Sequence, residues 1–265
     1  MKQEDAMHGP GGSWQLLIDQ PRTGCENMAR DQGLLDLAER DHRAVLRLYR
    51  WEPWCISFGR NEPAARRYDR DAIETAGLDS VRRPTGGRAV WHARELTYAV
   101  AAPVEVFGSL RNAYRDIHLM LSRAVQRLGA IPTLAANPTR AAALDAGACF
   151  ASPAGGEVMV EGAKVIGSAQ LRQGRAFLQH GSFLLEDTQD VIQRVTRGVP
   201  PASQDRPLAA VLGRSLQFDE AAGAITAQFA DWDRNWTPWS GESDLLPLAR
   251  EHEARYRSPE WTWRR

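Results

Sequence analysis

Two lysines stand among thirty-one arginines in this chain, and one of them, Lys164, lies deep in the sequence. Codon bias in a GC-rich genome accounts for the arginine excess, and it also fits the abundant alanine and glycine. Against that background an interior lysine calls for its own explanation. Both side chains are cations, but only the ammonium is a compact point charge with an adjustable pKa. Fifteen residues earlier stands Cys149, in Gly147-Ala148-Cys149-Phe150. A thiol becomes a nucleophile when a nearby cation lowers its pKa. Lys164 would supply that cation, or would polarise an acyl carbonyl. Spacing alone leaves the plain alternative open, because most cysteines are small core residues.

A second group of residues has the types that bind rather than react. Arg82-Arg83-Pro84-Thr85-Gly86-Gly87-Arg88 lies between two short strand signals. Adjacent glycines let the backbone come close to a ligand and turn N–H groups towards an anion or a carbonyl. The segment lacks the P-loop Lys-Ser/Thr and the GxGxxG spacing, so a plain tight turn explains it equally well. Gly167-Ser168-Ala169-Gln170 and Gln179-His180-Gly181-Ser182 follow Lys164. His92 and His180 are each placed to orient a reacting group or to activate an attacking amine, and a strand histidine satisfied by a backbone carbonyl is the competing reading. The three cysteines lack CxxC spacing and no HxxxH occurs, so no zinc site is expected. Cys55, inside an apolar strand, and Cys25 read as structural.

These residues need elements to position them. WQLLID (14–19) reads as a strand, and Thr23 or Gly24 starts a helix running to Glu39. VLRLYRW (45–51) alternates apolar and polar residues as a half-buried strand does. WCISFG (54–59), RAVWHA (88–93) and ELTYAVA (95–101) give further strand signals, and YDRDAIETAG (68–77) a short helix. Residues 110–129 form the clearest amphipathic helix, with Leu110, Ile117, Leu121, Val125 and Leu128 on one face. The Pro/Ala-rich passage 131–148 reads as loop. Residues 157–186 hold three alternating runs broken at Glu161-Gly162 and Gln173-Gly174-Arg175, a meander of hairpins with Lys164 at the first bend. Beyond 187 the pattern turns helical. The tryptophans there, among them Trp236, Trp239, Trp261 and Trp263, read chiefly as packing for that tail, with partner docking the lesser alternative. Interleaved strands and helices with local hairpins indicate a mixed α/β or α+β domain.

Composition bounds the function. The 265 residues are 43% hydrophobic and 25% charged, with 33 basic and 33 acidic side chains and a formal net charge of +0. That excludes a disordered or fibrous chain and argues against general nucleic-acid binding, which shows a basic excess. Residues 1–12 read as a flexible polar leader without the apolar run of a signal peptide. No stretch approaches the roughly 18 apolar residues of a membrane span. Three widely spaced cysteines are expected to be reduced thiols of a cytoplasmic protein. Arginine pairs such as Arg66-Arg67 read as solvated surface, one of which would receive an acidic carrier protein by electrostatic steering.

VRRPTGGRAVWHARELTYAV and CFASPAGGEVMVEGAKVIGSAQLRQGRAFLQHGSFLL together resemble the lipoate–protein ligase and octanoyltransferase superfamily. Within it they resemble the cysteine octanoyltransferase branch, which moves octanoate from acyl carrier protein. Asn27-Met28-Ala29-Arg30-Asp31, Tyr49-Arg50-Trp51, Ser57-Phe58-Gly59-Arg60 and Tyr256-Arg257-Ser258-Pro259-Glu260-Trp261 extend the match in order from about Trp14. The chain departs from the pattern at Ala93 and Ala99, where the family often has Asp and Ser, and at Gly155-Gly156, where an aromatic is common. The resemblance implies a single biotin/lipoate protein ligase-like catalytic domain over residues 13–265. It would have a mixed sheet and hairpin meander flanked by helices, with a helical tail from about 187. It also implies that Cys149 takes up octanoyl as a thioester and that Lys164 stabilises the oxyanion. Arg83, Thr85, Gly86, Gly87, His92, Gly167, Ser168, Ala169, Gln179, His180 and Gly181 would bind substrate, and Val165 and Phe177 would wall the eight-carbon chain. The implied donor is octanoyl-acyl carrier protein. The implied acceptor is a lysine of a lipoyl-domain protein such as glycine cleavage H protein or 2-oxoacid dehydrogenase E2. No cofactor, metal, nucleic acid or membrane is implied, and a monomer suffices. The alternatives are an ATP-dependent lipoate–protein ligase and an amidotransferase moving octanoyl between lipoyl domains.

Overall fold

Thr23 starts the first helix through a reciprocal capping box with Glu26, which satisfies orphan donors at the N-terminus. That helix, α1 (Gly24–Asp41), is the crossover between β1 (Trp14–Ile18) and β2 (Ala44–Tyr49), which lie parallel. The chain then builds a small outlying sheet from β3 (Cys55–Phe58), β4 (Asp79–Arg82) and β5 (Val90–His92), in the order β4-β3-β5. Two short helices, α2 (Ala64–Arg67) and α3 (Arg70–Thr75), connect β3 to β4. It returns to the main sheet as β6 (Glu95–Pro103), followed by a 3₁₀ turn and α4 (Leu110–Arg127). The computed structural model describes residues 13–135, 156–198 and 205–264.

The meander forms as its turn residues require. After the short β7 (Pro132–Leu134), β8 (Val158–Val160), β9 (Ala163–Gln173) and β10 (Ala176–Leu184) are joined by tight turns at Glu161-Gly162 and Gly174-Arg175. Gly162 and Gly174 both hold positive φ there. Lys164 is the second residue of β9, one step past the bend where the alternation places it. The remaining elements are α5 (Asp190–Val195), α6 (Leu208–Leu212), α7 (Phe218–Trp232), β11 (Thr237–Pro238), α8 (Glu242–Arg257) and α9 (Pro259–Thr262).

The main sheet runs β11-β1-β2-β6-β10-β9-β8-β7. Its pairings are parallel at β11-β1 and β1-β2 and antiparallel from β2 onward, so the fold is mixed α/β. Helices cover both faces. On one side α4 and α7 pack over Leu46, Leu48, Tyr98, Val100, Phe177 and their neighbours. On the other, α1 and α8 pack over Val45, Tyr49, Ala99, Ala101 and Leu178. This arrangement overturns one expectation. β2 alternates apolar and polar residues, yet all six of its residues are buried, because the face that carries Arg47 lies beneath α1 rather than in water. The predicted stripe on α4 holds, with Ile117, Leu121 and Val125 fully buried.

Candidate active site

The loop after β4 meets β10 above α1. Arg83 is buried, and one end of its guanidinium donates to Ser57 O at 3.0 Å and Ser57 Oγ at 3.1 Å. The other end donates to Gly86 O at 2.9 Å and Arg88 O at 2.6 Å, so the loop is tied to its own arginine. Thr85 is fully buried and its hydroxyl lies 2.6 Å from His180 Nε2. His180 Nδ1 lies 2.9 Å from Asp31 Oδ2. Burial alone would push the Asp31 carboxyl up, but the hydrogen bond to His180 and the Arg47 guanidinium hold it below the usual carboxylate range. An ionised carboxylate can only accept, so Nδ1–H donates to Asp31.

His92 repeats the pattern. Its Nε2 lies 2.8 Å from Ser57 Oγ and its Nδ1 is 3.4 Å from Glu95 Oε1. Burial pushes this imidazole below its ordinary pKa, and Glu95 only partly opposes the shift. The ring stacks on Trp51 with centroids 4.1 Å apart, while Trp51 Nε1 donates to Thr97 Oγ1 at 2.7 Å. Trp51, Ser57, Arg83, His92, Gly167, Ser168, Ala169 and His180 line one narrow cavity of about 30 Å³.

Glycine is required at three positions. A Cβ on Gly59 would coincide with the Gly87 carbonyl, and Gly87 itself holds φ +88. A Cβ on Gly181 would come within 2.5 Å of Gly167 O and 2.7 Å of Tyr98 Cε1. Gly86 has open space around it, so only the second glycine of the pair meets a conformational demand.

Lys164 is 1% exposed and its Nζ lies 2.7 Å from Glu157 Oε1, itself buried. A cation in this position is not solvated surface charge, and its desolvation is offset by the paired carboxylate. Nearby, α4 contributes a residue that sequence reading missed. His118 is fully buried, with Nδ1 2.7 Å from Tyr114 O and Nε2 2.9 Å from Ser168 Oγ. A carbonyl only accepts, so Nδ1 carries the hydrogen and Nε2 receives the Ser168 hydroxyl. From there the polarity runs back without choice. Tyr98 OH donates to Ser168 Oγ at 2.7 Å, Gln179 Nε2 donates to Tyr98 OH at 3.0 Å, and Gln170 Nε2 donates to Gln179 Oε1 at 3.1 Å. Burial, reinforced by the positive charge of Lys164, lowers the His118 pKa to about 4.

The structure thus brings Arg83, His92, Gly167, Ser168, Ala169, His180 and Gly181 to one cavity, with Thr85 behind it on His180. Gln179 points to the opposite face of the sheet, into the network with Tyr98. Phe177 and Val165 also belong to the core beneath α4 rather than to this cavity, Phe177 because alternate residues of β10 face opposite sides. Cys149 lies outside the described residues. Cys55 is a packed thiol pushed well up by burial, and Cys25 donates to Glu253 O. Beyond His118, sequence reading missed Arg47, and it gave Asp31, Trp51, Ser57 and Glu95 no role although all four stand in the matched motifs. His118 carried a different signal, since it falls on the apolar stripe with Tyr114, Leu121 and Val125. Among the described residues no group of three His, Cys, Asp or Glu is arranged to hold a metal, and no helix is long and apolar enough to cross a membrane.

Residues 23–230 match the model of the lipoyl protein ligase A/B catalytic domain. The chain is 33% identical over 273 residues to octanoyltransferase LipM of Kyrpidia tusciae, covering 96% of this chain and 99% of that one. It is 31% identical over 280 residues to octanoyltransferase LipM of an Exiguobacterium species, again covering 96% and 99%. A solved structure of a bipartite lipoate protein ligase and its E2 lipoyl domain from Thermoplasma acidophilum superposes with a TM-score of 0.70 at 20% identity, covering 96% of this chain and 97% of that one. The chain is therefore an acyltransferase that belongs to the lipoyl protein ligase A/B catalytic domain family, in its octanoyltransferase branch.

Proposed function

We propose that this enzyme is a protein octanoyltransferase of lipoate biosynthesis, working in the cytoplasm on acyl carrier protein and a lipoyl-domain protein. Cys149 attacks the octanoyl thioester of the carrier. The new Cys149 thioester forms as the carrier thiol leaves. The ε-amine of an acceptor lysine then attacks the same carbonyl, an amide forms, and the Cys149 thiol is released. Thioester exchange is nearly balanced and thioester to amide is downhill, so no nucleotide is consumed. The observation that carries the reading is the buried Lys164–Glu157 pair at the start of β9. An arginine-rich chain has kept a desolvated ammonium there, and a fixed charge away from water is what a developing oxyanion needs. The cavity beneath the Thr85–Arg88 loop takes the acyl tail. At about 30 Å³ it must widen to hold eight carbons, and Met28, a side chain with three rotatable bonds, is part of its lining.

The test is intact-mass analysis after mixing the protein with octanoyl-acyl carrier protein without ATP. One octanoyl group should appear on the protein, be released by hydroxylamine, and be absent from Cys149→Ser. Turnover of free octanoate with ATP, and none of the carrier thioester, would replace this reading with the ligase. Loading from an octanoylated lipoyl domain alone would replace it with the amidotransferase.

A further inference from the structure

The C-terminal motif from Tyr256 to Trp261 has no part in the reaction so far, yet it ends on the residue beside Arg83. Arg82 is fully buried, and its guanidinium donates to backbone carbonyls of two distant segments. In the turn after β3 it donates to Gly59 O at 2.7 Å, Arg60 O at 3.1 Å and Glu62 O at 2.7 Å. In the tail it donates to Trp261 O at 2.8 Å, Thr262 O at 2.9 Å and Arg264 O at 3.2 Å. Trp261 returns the bond, its Nε1 donating to Arg82 O at 2.9 Å. Arg264 also donates to Arg60 O and lies over the Trp261 ring. Trp263 packs on Phe58 at 5.1 Å.

The turn held in this way is the bed of the glycine loop. Gly59 is in contact with Gly87, Arg60 N donates to Thr85 O at 2.8 Å, and Arg83 N donates to Phe58 O at 2.9 Å. A buried guanidinium must keep its acceptors or lose far more than one bond's worth of stability. If the tail leaves, Arg82 loses the acceptors at Nε and Nη2 together.

We propose that Ser258–Arg264 is a positioning element of the cavity: through Arg82 it holds the β3 turn, and through that turn it sets the Thr85–Arg88 loop and Arg83. That the cavity receives an acyl chain rests on the preceding reading, whereas the coupling of tail to loop does not.

Two full-length variants test it. Trp261→Phe keeps an aromatic ring but removes the indole's second ring and its donor to Arg82 O, and Arg82→Lys keeps the charge and deletes the fork. Amide hydrogen exchange followed by mass spectrometry, without ligand, should show residues 83–88 exchanging about three- to tenfold faster in Trp261→Phe, the loss expected for one hydrogen bond. The increase should be larger in Arg82→Lys, with β2 and α4 unchanged. Loop exchange at the wild-type rate, or an equal increase throughout the chain, would overturn the proposal. Should Arg82→Lys not fold, Trp261→Phe decides the matter.

Octanoyl loading gives the second readout. A positioning role lowers the rate while the full fraction of protein still loads; a merely structural role lowers the fraction and leaves the rate, and that result would also overturn it. A wild-type protein that does not load at all removes the thioester reading and leaves exchange to decide the clamp.

Discussion

Neutral His118 in a dry site makes stability fall with acid in a calculable way. Its pKa is 6.5 when exposed to water and about 4 in the folded protein, lowered first by burial and then by the Lys164 charge, against the opposing pull of the Tyr114 carbonyl. Above pH 6.5 neither state binds the proton and the full stability is present. Between 6.5 and about 4 the unfolded chain binds a proton that the native protein refuses. Stability is therefore lost as pH falls, by about 1.4 kcal/mol per unit. The total is about 3 kcal/mol once pH 4 is reached. His118→Gln cannot titrate but offers an amide carbonyl to Ser168. Its unfolding free energy should lie below wild type at pH 7.5, and the gap should close by about 2 kcal/mol by pH 4.5. The carboxylates with lowered pKa, Asp19, Asp31 and Asp36, also withdraw stability in acid, but they do so equally in both proteins. Urea unfolding followed by circular dichroism at 25 °C from pH 4.5 to 7.5 measures the difference. In thermal melts it corresponds to roughly 4–8 °C for a chain of this size. Parallel pH curves for the two proteins would refute the reasoning, since His118 would then titrate alike folded and unfolded.

Lys164→Arg should remain folded and lose about 10²–10³ in octanoyl transfer rate, because a wide planar guanidinium cannot occupy the ammonium's place against Glu157 and the carbonyl; near-wild-type transfer would show that only charge matters. Glu157→Gln leaves that ammonium buried without its carboxylate and should cost about 3–5 kcal/mol in urea unfolding, most of it recovered in the double variant with Lys164→Met. Gly181→Ala drives a methyl into the Gly167 carbonyl and should cost about 1–3 kcal/mol. Gly86→Ala, with nothing within 4 Å of its Cβ, should stay within about 0.5 kcal/mol of wild type. Calorimetric melts of the two glycine variants side by side check the contrast.

Much of the site was legible in the sequence because it depends on short-range signals. Turn glycines at 162 and 174 marked the hairpins of the meander and put Lys164 at the first bend, one step short of its place as the second residue of β9. The stripe on α4 announced a buried helix face. Arginine's dominance of the chain singled out Lys164 before any fold was known. Alternation along a strand, however, says which residues share a face and not what covers it. Arg47 reads as solvent-facing, and only α1 lying across β2, with Asp19 and Asp31 supplied from other elements, makes it a buried ion-pair centre. The His180 array joins residues 31, 85 and 180, and the His92 array joins 57, 92 and 95 across a separate small sheet. Arg82 ties residues 59–62 to 261–264. Such links carry no spacing rule, because their distance along the chain is set by loops of arbitrary length. Burial is what obliges them to form: each polar group taken from water must find its partner wherever the tertiary fold brings one.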